Sequence, residues 1–263
     1  MNKSVRTGVV ATVVTAAALI LSGGPAMAHV SGTTPAYTCT GGDIPSGTYA
    51  SVTVTGFCDV AADGSAVISI VGNLNVAPGA VFDAQSSPSM ITVGHNVTAG
   101  AGALIGLGCQ PSGAHFAHPC MNEPDQASVI IIDGNLTTTD ADTVLLNGIT
   151  VKRNVTLTGG GGEIPWAIKN NTIGGNFTAS NIMPEWFGLL FSTIGGNATL
   201  TNITATDPED NGQAAVSIVV NTIGRNLNCS DLGPRLTGGA FPGEFNIVGG
   251  KETGECAGLM SGI

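Results

Sequence analysis

Positive charge is scarce in this chain. Eight Lys and Arg stand against 18 Asp and Glu in 263 residues, for a formal net charge of −10. Nucleic-acid backbones are held by clustered cations, so nucleic acid is excluded as a partner. Anionic lipids and anionic polysaccharides are disfavoured for the same reason. Charge of either sign is sparse, and good helix formers are few. What replaces them is 39 glycines with abundant Val, Ile, Thr and Asn, a composition of strands and tight turns. The apolar run from Val9 to Leu21 is shorter than the roughly 20 residues that cross a bilayer. No catalytic signature is spelled out anywhere.

The first residues have the form of a secretory signal. Lys3 and Arg6 precede the apolar run, and Ala26-Met27-Ala28 supplies a small-x-small cleavage pattern, so residues 1–28 are expected to be removed before His29. The competing reading is a retained N-terminal anchor. Cleavage removes two basic residues and no acid, which leaves a charge of about −12 and no membrane span in the mature chain. The remaining 29–263 segment is within reach of a single domain. All six cysteines follow the leader, so an oxidising destination makes disulfides the default. Six cysteines allow fifteen pairings. The three local pairs Cys39–Cys58, Cys109–Cys120 and Cys229–Cys256 are expected, two of them fastening the ends.

Asn171-Thr-Ile-Gly-Gly-Asn176 returns as Ser192-Thr-Ile-Gly-Gly-Asn197 and Asn221-Thr-Ile-Gly-Arg-Asn226, and weakly as Asn246-Ile-Val-Gly-Gly-Lys251. A repeat of roughly 20–25 residues marks a solenoid, whose units bury their apolar sides by stacking. The register asparagine recurs as Asn73, Asn96, Asn135, Asn154, Asn176, Asn197 and Asn226. Its spacing sets a coil of about 21 residues, with insertions near 108–127, 206–214 and 233–244. Alternation points Ile173 and Phe177 inward and Thr178 and Thr199 outward. Gly and Asn suit a left-handed corner, and stacked asparagines can pass amide hydrogen bonds along the axis. The expected fold is all-β: a parallel β-helix of about 8–10 coils and on the order of 45 Å long, right-handed by the general rule for parallel crossovers.

The ordered pieces Tyr37-Thr-Cys39, Thr53-Val-Thr-Gly56 with Cys58, and Gly72-Asn-Leu-Asn-Val-Ala-Pro-Gly79 lead into Gly106-Leu-Gly-Cys109 and Thr158-Gly-Gly-Gly-Gly162. They continue through the repeated phrases to Asn226-Leu-Asn-Cys229 and Gly254-Glu-Cys-Ala-Gly-Leu259. As a set this resembles a group of secreted actinobacterial β-helix proteins without an assigned activity. The resemblance covers nearly the whole mature chain; it implies export and a β-helix and brings no substrate.

Counted from the register asparagine, the insertions share a phase, which predicts one loop-bearing edge opposite the asparagine corner. In repeat proteins such an edge is often the binding side. Trp166 and Trp186 sit there in adjacent coils, with Phe187 beside them, either as an exposed platform for sugar rings or as buried core. Glu163, Glu185 and Asp207 fall at similar phase and are the best carboxylates for acid–base chemistry on a glycan. Cys109, His115, His118 and Cys120 have zinc-ligand types, but oxidised cysteines cannot ligate. Asp207, Glu209 and Asn211 imitate the opening of a calcium loop, yet Ile218 occupies the twelfth position, where a bidentate Glu belongs. Asn-x-Thr/Ser triplets at Asn96, Asn135, Asn154, Asn176, Asn197, Asn202 and Asn228 read as glycosylation acceptors or as turn residues. Two functions are expected in that order: an exported non-catalytic structural or matrix-binding module that meets a cell-wall or extracellular glycan or a protein, or a carbohydrate-active enzyme of the lyase or hydrolase type. Neither calls for a cofactor.

Overall fold

The computed structural model describes residues 33–60, 66–115, 117–206, 215–238 and 245–259. The chain is a parallel β-helix. Each coil gives one strand to each of three sheets, and neighbours within a sheet come from successive coils. The first sheet has ten strands, from Tyr37–Cys39 to Glu252–Gly254. The second has nine, from Gly42–Ile44 to Leu236–Thr237, and the third has nine, from Gly47–Tyr49 to Ile247–Val248. Pairing is parallel throughout, which sets the coils about 4.8 Å apart.

Alternation along short strands sends every second side chain to the axis, where residues of one register stack into columns. In the first sheet Leu74, Val97, Leu136, Val155, Phe177, Ala198 and Leu227 form one such column, all buried. In the second sheet Trp166 lies over Phe187 and Phe187 over Val216, again fully buried. Burying each large side chain contributes about 1.5–3 kcal/mol, and no coil could do so alone.

The repeated phrase is explained position by position. Its isoleucines, Ile173, Ile194 and Ile223, are core. Its first glycine lies against the coil before it: a Cβ on Gly174 would overlap the carbonyl oxygen of Lys152, and one on Gly195 that of Gly174. Its final asparagine forms a continuous ladder. The Asn96 amide donates to Asn73 Oδ1 (3.0 Å), Asn135 to Asn96 (2.9 Å), Asn154 to Asn135 (3.2 Å) and Asn176 to Asn154 (2.9 Å). Asn197, Asn226 and Lys251 extend it at 2.8, 3.1 and 2.9 Å.

One expectation about this corner is corrected. The ladder asparagines do not adopt positive φ, and close approach rather than left-handed backbone selects its glycines. Left-handed residues sit at the other two bends: Gly148, Asn170, Phe191 and Val220 between the second and third sheets, and Asp140, Gly159, Asn181, Asn202 and Asp231 where the chain leaves the first sheet for the second.

That bend carries a ladder missed in the sequence, built from the first residue of the phrase. Asn171, Ser192, Asn221 and Asn246 are all buried. Here each amide donates to the following coil: Asn171 to Ser192 Oγ (3.2 Å), Ser192 to Asn221 Oδ1 (2.9 Å), Asn221 to Asn246 Oδ1 (2.9 Å). The side-chain amides of Asn171, Asn221 and Asn246 donate to the carbonyls of Leu146, Leu189 and Ile218.

The three local disulfides are formed. Cys39–Cys58 ties the first coil to the second, and Cys229–Cys256 ties the last full coil to the C-terminal segment. No free cysteine remains among the described residues, which marks an oxidising compartment. No helix there is long and apolar enough to cross a membrane.

Candidate binding surface

The insertions avoid the asparagine corner but do not share one edge. Residues 159–165, 183–186 and 205–215 join first-sheet to second-sheet strands, whereas 108–128 and 238–246 join second-sheet to third-sheet strands. Offsets counted from the asparagine straddle the second sheet, so similar counts land on either side of a four-residue strand such as Trp166–Lys169.

The aromatic platform is corrected as well. Trp166 and Phe187 are fully buried, and the Trp166 indole N–H donates to the Asp142 carbonyl at 2.8 Å. Trp186 is half-buried, its ring folded over Gly188 so closely that a Cβ there would overlap it. Glu163 is exposed and Glu185 half-exposed; their coils touch through the Glu185 amide and the Gly162 carbonyl at 3.0 Å. Asp207, Glu209 and Asn211 lie outside the described residues.

The 108–128 insertion packs on the rod. Asn147 and Asn170 donate to the carbonyls of His118 and His115, and the His115 ring stacks on Phe191 with centroids 5.5 Å apart. Burial, and then the Lys169 charge, hold the His118 imidazole below its usual value, while Asp83 pulls the other way. Burial likewise depresses the Lys169 ammonium. Cys109 and Cys120 are bonded to each other, so the zinc constellation is not available. Asp43, Asp59 and Asp83 stack in register along the second sheet. Burial first, then Asp83 and Asp43, raise the Asp59 carboxyl, with the Val60 amide opposing.

The most regular surface is the outer face of the first sheet. One outward column runs Thr38, Thr53, Asn75, Thr98, Thr137, Thr156, Thr178, Thr199, Asn228 and Thr253, paired residue to residue through the sheet. Two residues further along each strand, Thr139, Thr158, Ser180, Thr201 and Ser230 form a second column. Two residues before the first column stands the asparagine ladder. The outward face is thus three parallel rows, spelled Asn-x-Thr-x-Thr in the coils beginning at Asn135, Asn154 and Asn197. A shallow groove of about 490 Å³ runs between the asparagine row and the first threonine row, from Asn96 and Thr98 to Asn176 and Thr178. No residue lining it is charged or aromatic.

The sequence contained this face in plain view, within the Asn-x-Thr/Ser triplets whose asparagines turn geometry explains without sugar. Five of those seven, Asn96, Asn135, Asn154, Asn176 and Asn197, are ladder members, and the side-chain amides of Asn135, Asn154, Asn176, Asn197 and the further rung Asn226 reach the Oδ1 of the preceding rung at 3.0–3.4 Å.

No family model, curated protein or solved structure matches the chain.

Proposed function

We propose that the chain is an exported, non-catalytic β-helix that recognises an extended, repetitive partner through the outer face of its first sheet. The observation that carries this reading is the in-register, uncharged three-row face and its groove. A surface that repeats every 4.8 Å suits a partner that also repeats, because many weak equivalent contacts on a rigid scaffold add at little ordering cost. Export is supported by the basic-then-apolar leader with its Ala-Met-Ala site and by the oxidised cysteines. The carboxylates of the enzymatic alternative, Glu163 and Glu185, do not line the groove.

The test is retention of the secreted protein on a panel of solids: cell-wall fragments, insoluble neutral glycans and polycrystalline ice. The expected result is retention on a subset, lost when Thr156 and Thr178 are both changed to Tyr and kept in Thr172→Tyr on the third sheet. Retention indifferent to the first sheet, or turnover of a glycan that disappears in Glu185→Gln, contradicts the reading.

A further inference from the structure

Resting on that reading of the first-sheet face, we infer that its partner is the ordered water lattice of an ice surface. The face has the chemistry of such a ligand and lacks that of the others.

Spacing is the first argument. Equivalent hydroxyls repeat every ~4.8 Å across the strands, and the two threonine rows stand about 6.6 Å apart along them. These two lengths approximate the oxygen repeats along and across a prism face of hexagonal ice. The paired hydroxyls persist over four successive coils, from Thr137 and Thr139 to Thr199 and Thr201, and in the fifth Asn228 takes the first position beside Ser230.

Hydrogen-bonding capacity is the second. Among the described residues the hydroxyls of Thr137, Thr139, Thr156, Thr158, Thr178 and Ser180 donate to no protein acceptor, although neighbouring polar side chains do find partners. Thr98 Oγ1 is bonded to Asn75 (2.9 Å) and Thr253 Oγ1 to Asn228 (2.8 Å). The middle coils therefore present free donors in ranks, and each of the five threonines sets a methyl group beside its hydroxyl. The groove between the asparagine and threonine rows gives a file of waters a place to sit, with the asparagine row as one wall and the first threonine row as the other.

The third argument is what the rows omit. Sugar recognition favours aromatic faces for stacking, and the groove lining has none. A mineral or an acidic polymer calls for charge, and both threonine rows are neutral. An uncharged, rigid, periodic array of hydroxyls and methyls is matched by a neutral crystalline lattice of water. The stacked coils and the asparagine ladder keep the spacing fixed before binding, which removes the ordering cost that a flexible surface meets.

The experiment uses the secreted chain and polycrystalline ice grown slowly from a dilute solution. The wild-type protein is expected to be incorporated into the ice, to alter the shape of single crystals and to suppress recrystallisation. Thr156→Tyr with Thr178→Tyr is expected to lower incorporation by about tenfold or more, equivalent to the loss of roughly 1.4 kcal/mol. Thr172→Tyr on the third sheet is expected to leave it unchanged. An unaltered melting transition confirms that the tyrosine variant is folded. If it is not, Thr156→Ala with Thr178→Ala removes the hydroxyls without adding bulk and is expected to lower incorporation, and unchanged incorporation in that pair contradicts the inference. Exclusion of the wild-type protein from growing ice overturns it outright. If the excluded protein is instead held by a glycan solid and released by the tyrosine pair, the face remains the binding surface and only the ice assignment falls. If nothing depends on the face, both fall.

Discussion

The two asparagine ladders do the same geometric task in opposite surroundings. The outer one borders the first and third sheets, is reachable by water, and points each amide back to the preceding coil. The inner one is buried at the bend between the second and third sheets and points each amide forward. Water can replace a lost rung in the first and cannot in the second. The difference teaches that burial, more than the hydrogen bond itself, decides how much a rung matters, because an unmade bond is costly only where solvent is absent.

The largest effect is therefore expected at Asn221. In Asn221→Ala the Ser192 amide and the Leu189 carbonyl lose partners inside the rod, and chemical denaturation should show a loss of about 3 kcal/mol. Asn176→Ala strips the acceptor from the Asn197 amide at a solvated corner and should lose only about 1 kcal/mol. Equal losses in the two variants would break the comparison. A buried hydroxyl sharpens it further. Thr138 stands in an inward position with its hydroxyl buried and unpartnered, between residues that pair as Ala99 and Leu157. Thr138→Val removes that polar atom at nearly constant shape and is expected to raise stability by about 1 kcal/mol. A drop in melting temperature would show that the hydroxyl has a partner.

The smallest effect concerns the docked 108–128 loop. The folded-state pKa of His118 lies below its unfolded value, so the unfolded chain takes up a proton first as pH falls. Stability from this group is complete above the ordinary histidine range and declines as pH drops through about 6.5. Asp59 acts in the reverse sense: its folded pKa is raised, so its contribution is lost as pH rises through the carboxylate range. His118→Asn should flatten the neutral-to-acid limb of a melting curve against pH and leave the acid-side behaviour of Asp59 in place.

Much of the fold was legible because a solenoid writes its period into its sequence. The asparagine at Asn73, Asn96 and onward marks one bend per coil, and the cysteines pair with their nearest partners. The candidate site was less legible for two physical reasons. Counting from one corner gives the coil but not the sheet, since strands of two to seven residues let equal offsets fall on different bends. Hydrophobic residues at a loop boundary also carry no label for inward or outward, and Trp166 and Phe187 turned in. The Thr137, Thr156 and Thr178 row was spelled in the sequence but disguised as glycosylation triplets. Its meaning emerges only when the coils are stacked and one residue per coil becomes a line. The inner ladder was disguised similarly, because Ser192 breaks the run of asparagines at Asn171, Asn221 and Asn246 while keeping an acceptor in place.

The most direct measurement of the stacked-coil account is amide hydrogen exchange, residue by residue, on the intact disulfide-bonded protein. The account predicts that the amides of Asn96, Asn135, Asn154, Asn176, Asn197 and Asn226 are protected together despite their solvated corner, because each donates to the rung before it. The amides of Ser192 and Asn221 should be slower still. Exchange of the corner asparagines at the rate of free turns would contradict the ladder, and with it the fixed spacing on which the first-sheet face depends.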